Sequence, residues 1–489
     1  MYFEKYRTNT DITGLISNSH IVLANDSEEL QELRGLVEEL KQKVKKLERK
    51  SEIEEQAAEL KKKETPVPKA SDKGFALESA DGKNVIKFRG LIQTDYRSFS
   101  NGANDVRLRS NGHAGNLDAT GFHDANDTDL IRRARPIIEG TLFVKYDFRL
   151  SPDFTNGGIQ IFDAYVDAKY NSAFKLRVGK YKPFVDLERL QSGSDIKFIE
   201  RSYVTNAILP NRDIGISLFG DFYKEKLNYA FGVNNGVVDA GNISTGAEFE
   251  SNKEVTARIF ANPFKDTTHI LSGLGFGLAA TYTNIDGEKN LNFTDASRNG
   301  LPTYLTNSQQ AFFRYGPATV ADGSRFRISP QANYYYGTFG VIAEYALVEQ
   351  EVSLATAGGS LAIGGGGTTS SGIVANTNKK LSHDAWQVAA SYLITGEEAS
   401  FKGVKPKHDF DLDKGGWGVW ELVARYSEIN LDSDTFKNQA GQFAAQAGAG
   451  ISGSTNQAYA DGFRSAQSAH SWATGINWYL NSNAKIQFD

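Results

Sequence analysis

Two periods divide the chain. Between residues 26 and 63 the apolar positions Leu30, Leu33, Val37, Leu40, Val44 and Leu47 alternate spacings of three and four, the seam of a coiled coil. Asp26, Ser27, Glu28 and Glu29 at the start and Lys61-Lys62-Lys63 at the end suit a helix dipole. A helix packed on its own domain is the alternative, but the other faces are almost wholly charged and the seam is narrow. A seam this short needs tethered partners, which trimerisation of an attached domain provides. The pattern assigns residues 25–63 to a helical coiled coil and residues 64–74, with Pro66 and Pro68, to an extended linker. Residues 1–24 fit a misassigned start, a degraded signal or a disordered leader, because only Ile21-Val22-Leu23-Ala24 resembles the apolar core of a signal.

From Phe75 onward a period of two takes over. Phe75–Ser79 and Asn84–Phe99 flank an Asp81-Gly82 turn, a hairpin pattern. Further strands are predicted near 130–144, 145–151, 159–170, 173–184, 212–221, 224–234, 252–262, 274–285, 325–336, 339–351, 383–395, 417–430, 470–480 and 483–489, fifteen with 84–99. Their two sides differ. Phe162, Ala164, Val166, Ala168 and Tyr170 oppose Asp163, Tyr165, Asp167 and Lys169; Phe326, Ile328, Ala332 and Tyr334 oppose Arg325, Arg327, Ser329, Gln331 and Asn333.

A soluble sandwich also alternates. Short turns near Asn171-Ser172, Asp221–Lys224, Gly337-Thr338 and Asn481-Ser482, set against long polar loops at 100–129, 185–211, 286–324, 352–382 and 431–469, favour a transmembrane antiparallel β-barrel over residues 75–489. The connection 396–416 is long on the side expected to be short. Single-chain bacterial barrels use an even number of strands, and an open edge in lipid is costly. Sixteen strands are therefore expected, with a closing strand missing after the short final segment, or with Phe75–Ser79 closing the barrel.

Composition is compatible with this. Tyr 21, Phe 30 and Gly 47 against Pro 11 favour strands, and the net charge of -5 gives no support to nucleic-acid binding. The absence of Cys removes thiolate metal sites, no His pair has metal spacing, and no cofactor is implied. Charge is nonetheless uneven: residues 130–215 carry 14 Lys/Arg against 10 Asp/Glu. Period two puts Arg133 and Arg135 on the polar face with Glu139, and Lys175 and Arg177 on the polar side of their own strand. Arg132 falls on the opposite face unless a bulge intervenes. The loop 185–211 carries Arg189, Ser192, Ser194, Lys197 and Arg201. Folded inward, it would present guanidinium, ammonium and hydroxyl donors to an anion, and Arg matches phosphate geometry. The competing reading is that Asp186, Glu188, Asp195 and Glu200 pair these bases off.

The Arg-Arg-Ala motif at 132–134, Gly-Lys-Tyr-Lys-Pro-Phe at 179–184, Leu-Glu-Arg at 187–189, Phe-Ile-Glu-Arg at 198–201 and Pro-Asn-Arg-Asp at 210–213 resemble the phosphate-selective porin O/P family, as do Phe88–Gln93 and Asn477–Leu480. The resemblance covers roughly residues 74–489. It implies a homotrimer of 16-stranded barrels in a Gram-negative outer membrane, contacting lipid and lipopolysaccharide, with the third loop folded inward. By the same resemblance Arg132 and Arg133 belong to an arginine ladder, Arg325 and Arg327 extend it, and Arg189, Ser192 and Arg201 occupy the constriction around inorganic phosphate or another anion. Arg135 stands where the family has an aromatic residue, Arg189 where it has Lys, and Ser194 lies near another altered position, so phosphate, polyphosphate and broader anions are not separated.

Two rivals remain at this level. Ser194-Asp195-Ile196-Lys197 matches the Ser-x-x-Lys pattern of an acyl-enzyme, without its companion motifs. A structural outer-membrane anchor or general porin with a periplasmic coiled coil and no phosphate preference is the stronger one.

Overall fold

The computed structural model describes residues 26–71, 74–99, 127–155, 158–242, 251–288, 299–356, 372–373, 377–440, 456–462 and 465–489. The expected leader, and much of the loops expected at 100–129, 352–382 and 431–469, lie outside these residues. The chain divides into two units, Met1–Thr65 and Pro66–Asp489.

In the first unit, helix α1 runs Asp26–Glu64. Leu, Glu and Lys supply its propensity, and Pro66 follows its end, where a proline disfavours further helix. Lys43 and Glu39 pair at 2.8 Å across one turn. The seam residues Leu33, Leu40 and Leu47 are exposed on the single chain.

In the second unit, β1 (Val67–Ser71) pairs with β2 (Gly74–Glu78), and β2 with β3 (Val85–Arg97). The segment expected as a linker is thus extended but paired. The chain then meanders through β4 (Thr128–Leu142), β5 (Tyr146–Asp153), β6 (Gln160–Lys169), β7 (Lys175–Tyr181), β8 (Asp213–Phe222), β9 (Leu227–Asn234), β10 (Glu254–Ala261) and β11 (Leu274–Asp286). A small pair, β12 (Thr303–Leu305) and β13 (Ala311–Arg314), precedes β14 (Thr319–Tyr336) and β15 (Phe339–Thr356). The two-residue β16 (Gly372–Ile373) pairs with the end of β15, and β17 (Lys379–Leu393) and β18 (Val419–Asn430) continue the meander. Another small pair, β19 (Gln439–Ala440) and β20 (Asn456–Gln457), leads to β21 (Ser468–Tyr479) and β22 (Lys485–Phe488). Among the described residues eighteen strands form one antiparallel sheet, and each of the fifteen expected segments overlaps one of its strands.

The sheet is not closed among the described residues, as expected of a chain whose closing strand is missing. Among the described residues the pairing runs linearly from β1 to β22, and none joins β22 to β1, β2 or β3. Phe75–Ser79 does not close it, because β2 pairs with β3 on one edge and its other edge is taken by β1.

Burial is inverted relative to a soluble sheet. Arg133, Arg327 and Glu421 are buried, while Ile92, Val166, Phe231 and Trp472 are exposed. An apolar outer face and a polar enclosed one is the pattern of a sheet whose outside meets hydrocarbon. Aromatic rings gather towards the short-turn ends: Tyr170 and Phe174 with centroids 5.9 Å apart, Phe222 and Tyr229 5.5 Å, Trp420 and Trp478 4.9 Å. Part of the enclosed face is covered by an apolar cluster in which Tyr203, Val204, Ile208 and Leu209 pack with Tyr304, Phe313, Leu354, Leu381 and Tyr459. The long connections therefore fold together instead of standing free.

Gly179 carries a close approach. Its φ is +128°, and a Cβ there would stand 2.2 Å from the carbonyl oxygen of Ala164 on the neighbouring strand. Gly179→Ala is expected to cost about 2 kcal/mol or more, read as a lower thermal midpoint of the folded band on gels. An unchanged midpoint would show that the β6–β7 pairing tolerates a side chain here.

Candidate functional site

The site is the segment between β7 and β8, residues 182–212, laid against the polar face of the sheet. Tyr181 ends β7 with its hydroxyl donating to Asn234 Oδ1 at 2.8 Å and lying 2.7 Å from Ser217 Oγ. Asp186 caps a one-turn helix, α2 (Leu187–Leu190), by accepting from Arg189 N at 2.8 Å. The Glu344 carboxylate on β15 accepts from Leu187 N at 2.6 Å and Glu188 N at 3.1 Å. Glu188 in turn accepts from Ser202 N and Oγ and from Gln387 Nε2 on β17. Further along, Lys197 pairs with Glu421 on β18 at 2.7 Å, Asn477 on β21 donates to Lys197 O, and Tyr203 N donates to Ser427 Oγ. Glu200 reaches β3 and β4 through Arg97, at 2.8 Å, and Arg132. One segment thus bonds to strands near both ends of the sheet. The connection between β17 and β18, expected short, reaches the same segment: Gln191 Nε2 donates to Phe401 O at 2.9 Å.

The residues anticipated from sequence fall into three groups. A bulge on β4, opposite Gln93 and Thr94 of β3, leaves Arg132 without a register partner, so both adjacent arginines reach the polar side. Arg132 binds Glu200, and Arg133 donates to Gln93 Oε1. Arg201, nearby on the segment, donates to Gln191 O at 3.2 Å. These three are brought together.

A second group is consumed by carboxylates. Arg135 lies 2.5 Å from Asp153, Lys175 2.9 Å from Asp221, and Arg177 grips Asp167 with two bonds of 2.7 Å beneath the Tyr165 ring. Arg325 pairs with Glu254 at 3.6 Å, and Arg327 is held by Asp239, Glu254 and Val237 O. They are framework more than a ladder of free charge. Arg189 belongs with them: buried, it donates to Thr205 O and stands 3.8 Å from Asp186. Ser192 and Ser194 are exposed, and Ser194 Oγ donates to Ser192 Oγ at 2.9 Å and to Asp195 at 2.8 Å.

Phe162 is a correction. A register shift between Ser151 and Pro152 skips it, and instead of facing outward it lies between the guanidinium groups of Arg135, 4.2 Å from the ring, and Arg212, 4.3 Å. Sequence reasoning also missed Lys182, although it lies inside a motif singled out for other reasons. Its Nζ donates to Gln191 O at 2.9 Å.

Electrostatics follow from enclosure. Burial brings Arg189 down to about 9, against the pull of Asp186. Burial alone would raise Glu200, but Arg132, Arg133 and Arg97 hold its carboxyl below the ordinary range. Burial lowers Arg201 despite Glu188 and Asp186.

A family model described as phosphate-selective porin O and P matches residues 105–489. A comparison with curated proteins finds no match. Among solved structures, the chain is similar to the outer membrane channel DcaP of Acinetobacter baumannii (11% identity, 84% of this chain and 88% of that one, TM-score 0.42). It is also similar to OmpT of Vibrio cholerae (11%, 83% and 85%, TM-score 0.40) and to an anion-selective porin from Comamonas acidovorans (10%, 83% and 100%, TM-score 0.35).

Glu200→Gln removes the carboxylate held between Arg97 and Arg132. The expected result is a shift of the zero-current potential in asymmetric KCl towards the anion value. A shift towards the cation value would show that these arginines do not face the ion path.

Proposed function

The chain belongs to the phosphate-selective porin O and P family, which makes it an outer-membrane porin and not an enzyme, and we propose that its channel is anion-selective and takes up phosphate or polyphosphate. The observation that carries the reading is the segment 182–212, which brings Arg201 against Arg132 and Arg133 on the polar face of the sheet. In this reading that face lines the lumen, the segment is its constriction, and the apolar face meets lipid and lipopolysaccharide. Arg189 holds the segment in shape, while Arg133 and Arg201 meet the ion. An anion there exchanges hydration for charge-assisted hydrogen bonds and must still leave, so binding stays weak.

The assembly proposed is a homotrimer with α1 in the periplasm, its exposed Leu33, Leu40 and Leu47 joining as a short coiled coil. Replacing Leu40 and Val44 together by Glu should lower the temperature at which trimers dissociate on gels and leave unit conductance unchanged. A trimer that is equally heat-resistant would remove α1 from the assembly.

A second reading has an observation of its own. Arg132, Arg135, Lys175, Arg177, Arg325 and Arg327 are all ion-paired, which favours a structural anchor or general porin without phosphate preference. Reversal potentials in asymmetric KCl, followed by phosphate titrated against chloride current, separate the two. Anion preference with phosphate block is expected; cation preference in the intact channel overturns the main reading.

A further inference from the structure

The connection between β17 and β18 passes from one side of the wall to the other beneath the short-turn rim. Its first half stays on the polar face. Ala399 and Val404 pack on Leu393, Val419 and Tyr479, the Phe401 ring stands edge-on to Tyr335, and Phe401 O receives Gln191. Its second half lies against the apolar face. Phe410 N donates to Leu480 O at 2.7 Å, and the Phe410 ring meets Trp478 edge-on, with centroids 4.9 Å apart. Trp478 itself stacks on Trp420 across that face. Asp411 and Gly416 then exchange backbone hydrogen bonds of 3.0 and 2.9 Å, closing a small hairpin, and Trp478 Nε1 donates to Trp417 O at 2.9 Å. The hairpin leaves two large apolar side chains uncovered: Leu412 is 76% exposed and Trp417 67%.

We propose that the hairpin 409–418 docks in the headgroup layer of the periplasmic leaflet, seating Leu412 and Trp417 among zwitterionic phospholipids. This rests on the reading that the apolar face meets lipid. The hairpin continues that face: it begins where the stacked rings of Trp420 and Trp478 end, and Phe410 joins the two. A leucine beside an indole suits a layer that is apolar on one side and wet on the other. Charge selects the kind of lipid. Residues 405–418 carry Lys405, Lys407 and Lys414 against Asp409, Asp411 and Asp413, whereas an anionic leaflet draws an excess of Lys and Arg. Lys414 pairs with Asp411 at 2.8 Å, and Lys407 Nζ donates to a neutral acceptor, Gly396 O, at 2.7 Å. A cavity of about 740 Å³ behind the hairpin is lined by Lys407, His408, Asp409 and Trp417, so both charge signs of a headgroup find a counterpart there. Docking also fixes the outer end of the connection whose inner end, at Phe401, supports Gln191.

The chain has no Cys, so one introduced cysteine carries a nitroxide at a single place. Full-length Leu412→Cys, Trp417→Cys, Asp413→Cys and Val388→Cys, the last on the apolar face of β17, are labelled and reconstituted in phosphatidylcholine vesicles. Collisions of the label with oxygen, which concentrates in lipid, are compared with collisions with a water-soluble nickel chelate. At 412 and 417 oxygen collisions should exceed chelate collisions several-fold, as at 388, and at 413 the order should reverse. Adding an anionic phospholipid should leave these ratios unchanged. Chelate-dominated collisions at 412 and 417, or equal ratios at 412 and 413, overturn the docking while the wall stays in lipid. Shielding of 412 and 417 from both reagents means that another copy covers the hairpin and overturns it as well, and an oxygen excess that appears only with anionic lipid overturns the zwitterionic assignment. Chelate-dominated collisions at 388 overturn the lipid-facing wall instead.

Discussion

The constraint on which this structure depends is that its sheet encloses its charged face, so each charge there needs a partner within reach. Leaving one ion of a buried pair alone costs several kcal/mol, whereas a hydrogen bond to a charged group returns only about 1.5–3 kcal/mol. That balance explains why segment 182–212 is tied down by carboxylates. Glu344 accepts two backbone N–H groups of α2, and Glu188 accepts the backbone and hydroxyl of Ser202. The segment is thereby held by side-chain acceptors where a strand would have a ladder, with its apolar residues Leu187 and Phe198 packed among Phe260, Ile342, Ala389 and Val423.

Pairing also resolves how a stretch with a net positive charge fits an acidic chain. Part of its excess is met from outside the stretch, Lys197 by Glu421 and Lys175 by Asp221; its own Glu188 and Glu200 in turn meet the outside cations Arg425, at 3.5 Å, and Arg97. Cations concentrate on β3 to β8, while Glu344 and Glu421 stand on β15 and β18. The segment lies between them.

The strand positions were legible because period two is a property of neighbours along one chain, and all fifteen segments were found that way. Arg132 was half legible: two adjacent arginines cannot both lie on one face of a regular strand, so its wrong parity already pointed to a bulge. Phe162 was misread for the same kind of reason, since it is itself the extra residue of its strand opposite Ser151 and Pro152, where regular alternation breaks. Pairing was not legible. Arg177 meets Asp167 only because β6 and β7 set them opposite, and Arg327 meets Asp239 and Glu254 across 88 and 73 residues of chain. The contact of Gln191 with Phe401 spans 210 residues and belongs to a connection whose length alone marked it as unusual.

These pairings change what a cation count means for a channel of this kind. An arginine that grips a carboxylate on the neighbouring strand adds little net field along the path and much rigidity to the wall, as Arg177 does with two bonds to Asp167 and a ring above it. Fewer cations have neutral acceptors, and they are spread over several elements: Arg258 bonds the Gln331 amide and Lys485 the carbonyls of Ser194 and Ile196. Arg133 bonds an amide oxygen, and Lys182 and Arg201 bond a carbonyl. A neutral acceptor orients such a head without cancelling its charge. The same carboxylates that silence most of the basic stretch hold the segment where these three meet.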